Sequence, residues 1–320
     1  MRSQFIDIAK GIAIVLVVIG HFYPDNSPCW YNVVHDIIYS FHMPLFLFCS
    51  GYVYKFVNLK EYPQFLLKKI RRLIIPYIVT SLIIISIKLL TERFMYVENP
   101  VSYESFIRIL YQPEAGYFLW FVWSLWLMFI VFPFFSINRY RRLGLYIVVF
   151  VLSYIPIHWT EIFCINQTIH MARYFALGML VADYKCYILP LKKIHEFVPF
   201  LLFFVAYLLR GNVLIHELLP YLGVWMVLAI SFRISQKDNR INKIVMATSI
   251  ASYVIYLFHT TFEGFVKGVL YKTPLFATSN ELVFALIAMI IIVSGVMFPM
   301  VLYKYVIKKY RVARFLFGIN

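Results

Sequence analysis

Ten stretches of this chain are apolar enough and about long enough to cross a lipid bilayer, and no other property leaves it fewer folds. A crossing takes roughly 20 apolar residues in helical form, because backbone N–H and C=O groups in lipid must be satisfied within the segment. The stretches lie near 6–23, 33–54, 73–90, 117–137, 143–158, 168–183, 197–209, 218–235, 245–266 and 282–303, the seventh being short. Hydrophobic residues make up 62% of the 320 and charged ones 14%, against about a quarter charged in soluble domains. The expected fold is all-α, a polytopic transmembrane helical bundle of about ten helices forming one membrane-embedded domain over 1–320. The first run is long enough to span and no small-residue cleavage site follows it, so an uncleaved signal-anchor is expected.

Charge orients the bundle. The net charge of +15 does not indicate a nucleic-acid partner, because cations of membrane proteins collect in cytoplasmic loops. With the N-terminus inside, alternate segments hold Arg2 and Lys10; Lys55, Lys60, Lys68, Lys69, Arg71 and Arg72; Arg139, Arg141 and Arg142; Lys185, Lys192 and Lys193; Arg233, Lys237, Arg240 and Lys243; and Lys304, Lys308, Lys309, Arg311 and Arg314. These are 23 of the 30 lysines and arginines. Both termini are therefore expected in the cytoplasm, with the chain in the inner (cytoplasmic) membrane. The acids Asp25, Glu92, Glu98, Glu104, Glu114, Glu161, Glu217 and Glu281 fall outside, and an interfacial helix is expected near 102–110 in the longest outer loop.

Histidine follows the acids. His21, His35, His158, His170, His216 and His259 fall on the outer side or in the outer half of a span, His42 falls in the middle of span 2, and His195 alone falls inside. His21, His42 and His259 lie within hydrocarbon depth, where a polar side chain needs a partner or a cavity. His158, His170, His216 and the tryptophans Trp120, Trp123 and Trp126 have a simpler reading as interfacial or packing residues. The four cysteines show no metal-ligand spacing, so no metal is expected. Cys29 and Cys164 both fall outside, which leaves a disulfide between them open.

Two motifs add a family. Asp7-x-x-Lys10-Gly11 followed by His21, and Ser40-Phe41-His42-Met43-Pro44 followed by Ser50-Gly51-Tyr52, resemble the first two helices of the acyltransferase-3 family of membrane O-acyltransferases. The likeness is greatest to its fucose 4-O-acetylase branch. Lys68-Lys69-Ile70-Arg71-Arg72 with Pro76, Trp120-Phe121, Arg173-Tyr174-Phe175-Ala176-Leu177-Gly178 and Ser252 through His259 resemble later segments. Where the family commonly has arginine, this chain has Lys10, which keeps the charge without the bidentate fork. Many members carry an extracytoplasmic esterase-like domain as well; this chain resembles those that stand alone. The resemblance implies transfer of an acyl group, usually acetyl, from cytoplasmic acyl-CoA to a sugar hydroxyl, with His21 and Lys10 as the motif histidine and cation.

The spacing permits such a reaction. Lys10 and His21, eleven residues apart, project from nearly one helix face about 16 Å apart. His21 is the expected general base, oriented by Asp36 at similar depth on the next span, while Asp7 pairs with Lys10. Acetyl-CoA, the acyl-donor substrate, would set its phosphates by Lys10, Lys68, Lys69, Arg71 and Arg72 and its thioester near His21, Ser40 and His42. Pro44 leaves the Ser40 carbonyl without its helical partner, so span 2 should open there. A sugar or glycan acceptor would meet Glu114, Trp120, Arg173, His259 and Glu263. Two other readings stand: the same chemistry on a cytoplasmic acceptor before export, and a proton-coupled transporter. A homo-oligomer is left open.

Overall fold

The computed structural model describes residues 4–25, 27–94, 97, 99–135, 138–156, 159–184, 197–270 and 280–319. Arg2, Lys185, Lys192, Lys193, Glu98, His158 and His195 lie outside the described residues. The helices run in the order α1 (Gln4–His21), α2 (Cys29–Tyr39), α3 (His42–Tyr52), α4 (Tyr62–Lys69), α5 (Ile75–Thr91), α6 (Ser105–Arg108) and α7 (Trp120–Phe135). They continue with α8 (Arg139–Leu152), α9 (Ile165–Tyr184), α10 (Phe197–Leu208), α11 (Val213–Ser235), α12 (Arg240–Leu270), α13 (Glu281–Leu302) and α14 (Arg311–Leu316). No strand occurs among the described residues, and the fold is an all-α, multi-pass bundle.

Helices stand at all ten expected places. Seven helical stretches among the described residues are long and apolar enough to cross a membrane; α8 and α10 are shorter, and α9 carries more polar side chains. Local chemistry sets the ends. Asn138, Asn212 and Asn280 each turn a side-chain oxygen to backbone N–H groups that open α8, α11 and α13, as N-caps do. The Asn212 cap starts α11 five residues before the apolar run begins. The helix expected near 102–110 is only the single turn α6, followed by turns held by Tyr77 Oη, which donates to Ile109 O or Gln112 O at 2.7 and 2.8 Å.

α1 is the hub. It packs against α2, α3, α11, α12 and α13, and Ile6, Ile8, Ile14, Val17 and Val18 along it are buried. Outer helices leave apolar stripes exposed, as at Leu286, Met289, Ile290 and Val293 on α13, where lipid takes the place of packing. Between α3 and α9 the backbones nearly touch. A Cβ at Gly51 would collide with the Phe175 carbonyl, and one at Gly178 with the Phe48 carbonyl; small residues permit such approach between membrane helices.

Candidate active site

Pro24 ends α1 just past His21, since it cannot continue a helical ladder. Tyr31 of α2 reaches back, and its hydroxyl stands 3.0 Å from Ile19 O and 2.8 Å from Phe22 O. It thereby serves carbonyls that a helix end leaves without partners. Gly20 has no side chain to obstruct Tyr39, whose ring lies across the end of α1. These contacts hold the end of α1 at which His21 stands.

The expected opening of span 2 is present, between Tyr39 and His42. Phe41 leaves helical geometry (φ −144°, ψ −9°), and its ring packs on Phe203 and into the notch at Gly223 of α11. His42 Nδ1 stands 2.9 Å from Ile38 O. A carbonyl only accepts, so Nδ1 carries the proton and Nε2 is the free nitrogen. His259 repeats the arrangement on α12. Its Nδ1 is 2.8 Å from Tyr256 O and 3.1 Å from Ile255 O, and its Nε2 is buried with no hydrogen-bond partner.

His259 is His21's neighbour. Their ring centroids are 5.0 Å apart, and the Phe118 ring lies against both. His21 also forms part of the wall of two cavities. One, of about 370 Å³, is lined further by Ser40, His42, Trp120, Arg173, His216 and Glu217. The other, of about 420 Å³, is lined further by Tyr39, Lys88, Thr260, Thr261, Glu263 and Lys267. Both lie in the volume range of small-ligand sites. In the smaller cavity the polar groups hold one another. Arg173 reaches Glu217 Oε2 at 3.2 Å, Tyr174 Oη at 3.0 Å and Ser153 Oγ at 3.3 Å, and Tyr154 Oη donates to Glu217 Oε2 at 2.8 Å.

Two expected site residues stand elsewhere. Asp36 does not face His21: its side chain is 60% exposed and meets Arg210 at 3.4 Å and Tyr207 Oη at 3.3 Å. The reason is rotation. Tyr23, His35, Tyr39 and His42 form a column of neighbouring rings, with positions 35, 39 and 42 on one face; position 36 is turned about 100° from 35. Glu114 lies near Arg108, 3.6 Å away, and Ser105 in the outer loop, outside both linings.

At the opposite end, Lys10 stands within electrostatic reach of Lys69, as do Lys68 and Arg72. Lys68 and Arg71 are exposed, and the Lys69 ammonium sits 3.5 Å above the Phe129 ring. Neither cavity's lining includes these cations. Cys29 and Cys164 are both free thiols, which corrects the open disulfide; Cys29 is exposed and Cys164 buried. Burial, aided by the Glu161 charge, pushes the Cys164 thiol up to about 12. Since the thiolate is the nucleophile, Cys164 is inert near neutrality. Sequence reasoning missed Tyr39, Phe118 and Thr261 and read Glu217 as a topological marker only; the three-residue step from Tyr39 to His42 was the available signal.

In this multi-pass bundle His21 borders two cavities, His42 borders one of them, and His259 stands against His21. The chain belongs to the acyltransferase-3 family: the family described as "Acyltransferase domain" (Acyl_transf_3) matches residues 3–303. It is a multi-pass membrane protein of that family. Among similar proteins are the nodulation protein NolL of Mesorhizobium japonicum, 32% identical over 114 residues that cover 31% of each chain, and that of Sinorhizobium fredii, 42% identical over 57 residues that cover 16% of each. The matched stretches thus span a third or less of those relatives. No solved structure matches.

Proposed function

We propose that this protein is an O-acetyltransferase of the cytoplasmic membrane, moving acetyl from cytoplasmic acetyl-CoA to a hydroxyl of a cell-envelope glycan or lipid-linked sugar. The observation that carries this reading is His21: the motif histidine borders both cavities, so a donor in one and an acceptor in the other would meet at its ring. Both termini lie in the cytoplasm, as the cation distribution supports. Lys10 with Lys68, Lys69, Arg71 and Arg72 receives the phosphates of the donor, and the pantetheine arm covers the rise of about 16 Å to His21.

His21 acts as general base. His259 takes the orienting role expected of Asp36, because its Nδ1 is committed to backbone carbonyls and its Nε2 offers only a lone pair. Rotation of His21 brings an N–H onto that lone pair and leaves the other nitrogen free. The acceptor oxygen attacks the thioester carbonyl while its proton passes to His21. The tetrahedral intermediate then expels the CoA thiolate, which takes the proton back. His42 and Ser40 line the side where the thioester lies, and Trp120 and Arg173 line the wall beside it.

The test uses purified protein in liposomes, acetyl-CoA labelled in the acetyl group, and octyl glycosides of glucose, galactose and fucose as acceptors. His21→Gln should insert and unfold like the wild type yet lose at least about a hundredfold in transfer. Near-wild-type transfer by that variant removes His21 from its role. Supplying donor and acceptor on the same or opposite faces of sealed vesicles separates transfer across the membrane from transfer on the cytoplasmic side.

A further inference from the structure

The two cavities at His21 differ in the state of their polar groups. In the smaller one, Arg173, Tyr174 and Glu217 of the lining engage one another and Ser153 and Tyr154 behind it, leaving Arg173 Nε over. In the larger one, Glu263 is only 5% exposed, and its Oε1 has no hydrogen-bond partner. Thr261 Oγ1 in the same lining is likewise buried and unpartnered. Thr260 and Lys267 share this lining, so a carboxyl, two threonine hydroxyls and an ammonium stand in one cavity wall together with His21.

The bundle makes room for this carboxyl. A Cβ on Gly295 of α13 would stand 2.7 Å from Glu263 Oε1 and 2.8 Å from its Cγ, and 2.9 Å from Val18 of α1. Glu263 follows His259 by one helical turn, so both come from one face of α12. A carboxyl oxygen and a threonine hydroxyl together suit a ligand rich in hydroxyls. A carboxyl oxygen accepts a hydrogen bond from an O–H, and the threonine can donate or accept.

We propose that the larger cavity, between α1, α5 and α12, is the acceptor subsite, with Glu263 and Thr261 gripping hydroxyls of a sugar ring beside the one that His21 deprotonates. The assignment rests on the acetyl-transfer reading above. It leaves the smaller cavity, where His42 and Ser40 lie, to the donor thioester. Glu263 is thereby a specificity-determining residue that binds the substrate without exchanging a proton in the reaction.

Steady-state transfer to the same three octyl glycosides, with acetyl-CoA and glycoside varied in turn, tests this. Glu263→Gln and Thr261→Val nearly conserve shape. The glutamate variant should raise KM for the glycoside by a few-fold to about tenfold, as expected for a buried hydrogen bond. The threonine variant should raise it severalfold, and KM for acetyl-CoA should stay unchanged in both. Gly295→Ala, which leaves Glu263 intact in sequence but crowds it, should raise the glycoside KM as well. Thermal unfolding followed by tryptophan fluorescence identifies any variant that has lost its fold, and the remaining variants decide. Unchanged glycoside KM in the folded variants, or a rise in KM for acetyl-CoA instead, overturns the cavity assignment while leaving acetyl transfer intact. A wild type that transfers label to none of the glycosides overturns the underlying reading, and the assignment with it.

Discussion

The imidazoles at the centre of this protein owe their chemistry to backbone oxygens. His42 and His259 each turn Nδ1 toward carbonyls of the preceding helical turn, and so each presents Nε2 elsewhere. His21 has no such tie among the described hydrogen bonds and ends its helix at the wall of both cavities. Asp36, paired with Arg210 at the surface, should be dispensable. Asp36→Asn is expected to keep acetyl transfer within about twofold and to cost no more than about 1 kcal/mol of stability, the range for exposed ion pairs; thermal unfolding and transfer assays check both. His21 was legible because an imidazole at hydrocarbon depth is expensive and therefore conspicuous. Asp36 was misread because sequence position gives depth along a helix far more readily than the direction a side chain takes once two helices pack. The orphan oxygen of Glu263 depends on contacts among α1, α12 and α13, which no local pattern encodes.

Among the elements, the divided span α2–α3 does most to shape the site. Pro44 made the division readable, since the missing N–H is a property of one residue. The way the gap closes, with His42 bonding Ile38 O and Phe41 filling the notch at Gly223, was not readable, because Gly223 lies on a helix far away in sequence. Pro44→Ala restores the N–H that a continuous helix would pair with the Ser40 carbonyl, and so favours that helix. It should lower kcat severalfold with little change in thermal stability, measured by the same transfer and unfolding assays. The α3–α9 seam predicts the opposite pattern. Gly178→Leu has no space to enter and should destabilise the protein by at least the 1–3 kcal/mol or so typical of overpacking, seen as a lower Tm in detergent.

The molecule as a whole was legible in outline from its apolar runs and the sorting of its cations. The lengths of α8 and α10 and the single turn of α6 depended on caps and loop contacts that such runs do not report. Cysteine chemistry checks the outer face. With Cys186→Ser as background, a membrane-impermeant maleimide at pH 8 should label Cys29 from outside and spare Cys164. The thiolate of Cys164 forms only as pH nears about 12, so raising the pH to 9 should add no second label; Cys29→Ser should abolish labelling. The Gly51–Gly178 contact has a mechanical consequence. Each glycine receives a carbonyl of the opposite helix, so α3 and α9 cannot slide past one another without driving backbone into backbone. The wall they give to the smaller cavity therefore behaves as a fixed jaw.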